Sequence, residues 1–166
     1  MSLHAIQTEY SGYLFRSRLE ARWAVFFDAL KLHWEYEPEG FELGKGVRYL
    51  PDFRITHPCY VPFYVEVKPA KLALTKKESS KLWKFIELIA NDEQDGGFLI
   101  VRGDPLEADA FLGGRFGGVK KSGELDFNGF VQFWILTSNC APLALHQAGK
   151  VARMARFEHR KSEDAA

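Results

Sequence analysis

Tyr49-Leu-Pro-Asp-Phe-Arg-Ile55 and, after a short polar interruption, Phe63-Tyr-Val-Glu-Val-Lys-Pro69 read as two strands that carry three charges. Alternate residues of a strand face opposite sides of a sheet. Phe63, Val65 and Val67 therefore share one face, and Tyr64, Glu66 and Lys68 share the other. On the preceding strand Asp52 and Arg54 alternate with Phe53 and Ile55, so Asp52 also leaves the apolar face. Pro58 and Pro62 cannot donate to a ladder, which makes Thr56 to Pro62 the expected connection. A loop centred near Cys59 sets Asp52 opposite Glu66, and two carboxylates and an ammonium meet at one spot.

Such a spot has a chemical use. Two hard oxygen ligands hold Mg²⁺ while leaving positions for water and a phosphate. The ion lowers the pKa of a bound water and offsets phosphate charge, and a neighbouring lysine orients the nucleophile or stabilises the transition state. Read blandly, the same residues are an exposed cross-strand ion pair worth less than ~1 kcal/mol.

Pro51-Asp52, thirteen intervening residues and then Glu66-Val67-Lys68, with a helix upstream carrying Glu20, resemble the PD-(D/E)XK nuclease superfamily. The resemblance covers Tyr10 to Arg102. Phe15-Arg-Ser-Arg-Leu-Glu-Ala-Arg-Trp-Ala24 is similar to the opening of small stand-alone members found in phages and mobile elements. The resemblance implies a restriction-endonuclease-like αβββαβ core with the motif on adjacent strands and an acidic residue of the first helix completing the metal site. Carried over by position, Asp52 and Glu66 become metal ligands, Lys68 the catalytic lysine and Glu20 the helix carboxylate. The implied activity is Mg²⁺-dependent hydrolysis of DNA, as an endonuclease or nickase, with Mn²⁺ able to substitute; RNA is not separated from DNA by these residues.

Length and composition set bounds on this. The 166 residues make one domain with a real core, read as a nuclease-like core over 10–104 and a C-terminal extension over 105–166. The fold class expected is α/β in the broad sense (α+β), a mixed central sheet flanked by helices, plus a C-terminal strand and helix. No apolar run reaches membrane-spanning length, and Met-Ser-Leu-His at the start lacks the apolar segment of a signal peptide, so a cytoplasmic protein is expected. Lys plus Arg and Asp plus Glu both number 22, so any surface for DNA must be local. Cys59 and Cys140 make no disulfide framework, and with His57 and His146 they match no zinc spacing.

Along the chain, Tyr10-Ser-Gly-Tyr13 reads as a turn before the first helix. Ser17 and Glu20 form a capping-box signature, so Glu20 has a second role open to it as a cap. Leu19, Trp23, Phe26, Phe27 and Leu30 form one stripe, with Glu20 at its edge. Arg16, Arg18 and Arg22 lie on other faces, as phosphate contacts or as solvated arginines. His33-Trp-Glu-Tyr-Glu37 reads as the first strand and Phe98-Leu-Ile-Val-Arg102 as the fourth, parallel to its neighbour because a helix over Thr75 to Asp92 crosses between them. That helix places Leu82, Trp83, Phe85, Ile86 and Ile89 inward and Lys77, Lys81 and Lys84 in a basic row outward, for a phosphate or simply for water.

Beyond Asp104 the pattern weakens. Arg115, Lys120 and Lys121 sit in a Gly-rich basic loop, Phe130 to Leu136 reads as a strand, and Leu143 to Phe157 as a helix with Leu145, Val151, Ala152 and Ala155 inward. Arg153, Arg156, Arg160 and Lys161 cluster against few acids and form the preferred basic patch. Two further functions remain beside the nuclease: a nuclease-like fold that binds nucleic acid or a partner without cutting, and a structural protein of a phage particle. One metal site cuts one strand, so a double-strand cut would imply a homodimer or two encounters.

Overall fold

The computed structural model describes residues 5–57, 60–70, 74–90, 97–113 and 142–157. The expected loop around Arg115, Lys120 and Lys121, the strand at 130–136, both cysteines, and Arg160 with Lys161 lie outside these residues.

The chain opens with a hairpin, β1 (Thr8–Tyr10) and β2 (Tyr13–Phe15), whose turn at Ser11-Gly12 has positive φ at both positions, as the twist of a tight hairpin demands. Helix α1 (Arg18–Ala29) follows, then β3 (His33–Tyr36). A small hairpin of β4 (Phe41–Glu42) and β5 (Arg48–Tyr49) leads to β6 (Phe53–His57) and β7 (Tyr60–Lys68). Helix α2 (Lys76–Ala90) crosses to β8 (Gly97–Arg102), followed by β9 (Asp109–Gly113) and α3 (Pro142–Met154).

The main sheet has the order β3-β6-β7-β8-β9, with β7 and β8 parallel and every other pair antiparallel. It is a mixed central sheet in which one helix precedes three strands and a second crosses to the fourth. β7 lies in the middle, paired on both edges. The expected connection from Thr56 to Pro62 is shorter in the structure, because β6 runs to His57 and β7 starts at Tyr60. Pro62 is accommodated at a register shift between the Ile55–Phe63 and His57–Tyr60 pairs, where its missing N–H costs no ladder bond.

Both faces of the sheet are covered. Phe53, Ile55, Phe63, Val65, Val67, Leu99 and Val101 pack with α1 and α3, whereas Tyr64, Phe98 and Ile100 pack with Leu82, Phe85, Ile86 and Ile89 of α2 and with Tyr49. Alternation therefore separates two cores and not a core from water. In α3 the inward stripe is Leu145, Ala148 and Ala152, while Val151, expected inward, is exposed. Gly149 shares the inward side because a Cβ there would come within 2.9 Å of the Leu106 backbone. Among the described residues no helix is long and apolar enough to cross a membrane.

Candidate active site

Phe53 pairs with Val65 across β6 and β7, and one further step in that register puts Asp52 beside Glu66 at the end of the hairpin. Lys68 lies two residues on along β7, on the same side as Glu66, and its Nζ sits 2.6 Å from Glu66 Oε1. The three charges meet as the pattern of alternation requires. Their surroundings differ from expectation: Asp52 and Glu66 are 5% and 7% exposed, so they are not a surface pair. α2 and Tyr49 close over the sheet face that carries them.

Every oxygen of this pair has a donor. Asp52 Oδ2 accepts from the Val67 N–H at 2.7 Å, and Oδ1 accepts from Arg16 Nη2 at 2.7 Å. Glu66 Oε2 accepts from the Tyr49 hydroxyl at 2.5 Å, and Oε1 faces Lys68. Burial pushes the Asp52 carboxyl well above its ordinary value, and the charge of Glu66 adds to this, while the Val67 N–H and Arg16 act in the opposite direction. Burial also raises the Tyr49 phenol, with Glu66 reinforcing it, so Tyr49 remains a donor. Desolvation alone would lower the Lys68 ammonium, but Glu66 and then Asp52 outweigh it and raise the pKa. Lys68 is a cation at neutral pH.

Glu20 is buried at the start of α1, on the other side of Arg16. Ser17 is the N-cap and accepts from the Glu20 N–H at 3.2 Å, while its hydroxyl donates to Glu20 Oε1 at 2.7 Å. The reach-back of the capping box goes to the N–H of Arg16, 3.2 Å from Oε2, and the Tyr36 hydroxyl donates to the same oxygen at 2.6 Å. Both oxygens of Glu20 are thus turned to the cap, and among the described residues no three of His, Cys, Asp and Glu come together as a group able to hold a metal ion. The structure thus places Glu20 in the cap, from where it also acts electrostatically on Asp52, whose carboxyl it helps to raise.

The expected phosphate contacts divide in two. Arg16 is committed to Asp52 and, through Nε at 2.7 Å, to Glu37, so it belongs to the carboxylate site. Arg18 is half-buried in the first turn of α1. Arg153, preferred for DNA, is held by Asp104 and Glu107, both about 3.0 Å away, and Arg22 also reaches Asp104. The C-terminal patch is therefore partly neutralised by acids of the segment after β8, which the local sequence around Arg153 did not reveal. Arg156 and Lys77 are exposed, and Lys81 is half-buried on α2.

Sequence reasoning missed Tyr49, Tyr36 and Glu37 as members of the site. Their roles come from the β4–β5 hairpin and the β3 edge folding back on the strand ends, for which no local spacing is a signal. Neither protein-family models nor curated proteins nor solved structures give a match to this chain.

Proposed function

We propose that the protein is a divalent-metal-dependent deoxyribonuclease with a restriction-endonuclease-like core, in which Asp52 and Glu66 hold the ion and Lys68 serves the reacting phosphate. The observation that carries this is the buried juxtaposition of two carboxylates with a lysine ammonium 2.6 Å from one of them. Burying two like charges is costly unless a cation offsets them. The donor set fits a hard divalent ion, since both ligands are carboxylate oxygens and Mg²⁺ fills its other positions with water and phosphate.

When bound, Mg²⁺ or Mn²⁺ would supply a Lewis acid that makes water acidic and offsets charge on a phosphate. The protein groups do the rest. Tyr49 and the Val67 N–H fix one oxygen each of Glu66 and Asp52, leaving the others to Lys68 and Arg16. Lys68, charged and one-fifth exposed, is placed to donate to the non-bridging oxygen of a phosphodiester as charge develops there. Glu20 and Tyr36 hold the Arg16 backbone and so set the distance from α1 to Asp52.

A second reading, a nuclease-like fold that binds nucleic acid without cutting, is favoured by the internal pairing of every carboxylate oxygen. Incubation with linear, nicked, branched and single-stranded DNA and with RNA, in Mg²⁺, Mn²⁺, Ca²⁺ or chelator, separates the two. Cleavage of DNA in Mg²⁺ and Mn²⁺, lost in chelator and in Asp52→Asn and Glu66→Gln, is the expected result. Full activity in chelator, or normal cutting by either variant, would refute the metal site. A monomer is expected to nick; a double-strand cut would imply two copies.

A further inference from the structure

The outer side of α2 forms a cleft of about 230 Å³ with the β4–β5 hairpin, lined by Val47, Lys77, Ser80, Lys81 and Lys84. Three lysine side chains line one opening of a chain whose net charge is zero. Neither acid of the helix lines it. Glu78 is turned to Thr75 in a capping box, its Oε2 accepting from the Thr75 N–H at 2.8 Å and from the Thr75 hydroxyl at 2.7 Å. Glu87 lies nearly a turn beyond Lys84 and does not line the cleft.

Two links tie this cleft to the carboxylate site. Lys81 Nζ lies 5.4 Å from the centre of the Tyr49 ring, and the hydroxyl of the same ring donates to Glu66. Glu78, in the first turn of α2, acts electrostatically on Lys68. Lys81 is therefore one aromatic ring away from Glu66.

We propose that the cleft binds a run of phosphates of one nucleic-acid strand and guides that strand to Lys68. From Lys77 to Lys84 the helix rises about 10 Å, the axial advance of about three successive phosphates of one strand. Lys77, Lys81 and Lys84 each take a phosphate, and the Ser80 hydroxyl donates between them. The choice of ligand rests on the nuclease reading, whereas the cleft and its charge do not. This assignment reverses the ranking expected from sequence, since Arg153 is already paired and the α2 lysines line an open cleft.

The test is binding of a fluorescent 20-base-pair DNA duplex, in chelator so that nothing is cut, over a series of salt concentrations. Lys77→Ala/Lys81→Ala/Lys84→Ala is compared with Arg153→Ala. Alanine is the better helix former, and circular dichroism checks that α2 is kept; Lys→Gln at the same three positions provides a second set. The expected result is a loss of affinity with a salt slope lower by about two to three units in both triple variants, and by less than about one in Arg153→Ala. A wild-type slope in the triple variants overturns the proposal. So does inorganic tripolyphosphate that displaces the duplex at concentrations equal to the duplex itself, which would make the cleft a small-polyphosphate site. A protein that never cuts but shows the lowered slope leaves the cleft in place and removes the nuclease; one that cuts with an unchanged slope does the reverse.

Discussion

Arg16 reaches Asp52 across 36 positions of sequence, with its Nη2 2.7 Å from Oδ1 while its Nε lies 2.7 Å from Glu37. The guanidinium therefore occupies the Asp52 oxygen that a divalent ion would take, and it has a second carboxylate to which it can retreat. A charge-assisted bond of this kind is among the stronger ones, so displacing it weakens metal binding. Arg16→Ala is expected to tighten Mg²⁺ binding about tenfold, equivalent to ~1.4 kcal/mol. Calorimetric titration of Mg²⁺ into both proteins measures this. Equal or weaker binding by the variant would show that Arg16 does not compete for Asp52.

Protonation of Asp52 gives a second expectation. Burial and then Glu66 raise its carboxyl well above the ordinary value. The folded state thus binds a proton that the unfolded chain, with a pKa of about 3.9, has already released. Stability should be greatest below that pH and fall as pH rises toward the folded value, because the native state binds more protons over that window. Asp52→Asn should flatten the decline that sets in above about pH 4. Urea midpoints measured at intervals of pH follow it, and an unchanged slope in the variant would locate the titrating group elsewhere.

For Glu20 the structure favours the cap. Glu20→Gln keeps an acceptor but loses the charge that receives the Ser17 and Tyr36 hydroxyls and the Arg16 N–H. A stability loss of ~1 kcal/mol is expected, with cleavage kept within about tenfold. A fall in cleavage beyond a hundredfold with unchanged melting would return Glu20 to the metal site.

Tyr49→Phe removes the one hydroxyl that donates to Glu66 Oε2. The ring packs 4.5 Å from Phe85 and is retained, so the change isolates the hydrogen bond. A loss of ~1–2 kcal/mol is expected from the buried, unpartnered oxygen, read from chemical denaturation. A neutral effect would mean that water or Lys68 replaces the phenol.

The elements with strong periods were legible. The stripe of α1, the alternation of β6 and β7 and the apolar run of β8 are each set by local burial, and their order along the main sheet followed. The Asp52–Glu66 pairing was legible too, because a hairpin register depends only on where its loop is centred. What the sequence did not reveal was how buried that pair is. Tyr64 and Glu66 alternate with Val65 and Val67, yet both sets are covered, since α2 encloses the second face with side chains far away in sequence. The β1–β2 strands, three residues each, are too short for a period to stand out, and Asp104 holds Arg153 from 49 positions away. The capping box of Thr75 and Glu78, by contrast, was there to be read and would have turned the Glu78 carboxylate to the start of α2.

The antiparallel pairing of β6 with β7 also bears on the order of events as the chain folds. These strands are neighbours in sequence, and closing the hairpin is enough to bring Asp52 against Glu66. Arg16 arrives only with the segment ahead of α1, and β8 joins β7 only after the α2 crossover, both of which require longer loops to close. Lys68 travels with the hairpin and offsets Glu66, whereas Asp52 waits for its counter-charge. Electrostatic repulsion is thus met at an early, local step and relieved at a later one, so the carboxylate pair shapes the kinetic barrier as well as the finished site, and a proton or a cation supplied early would speed the hairpin's closure.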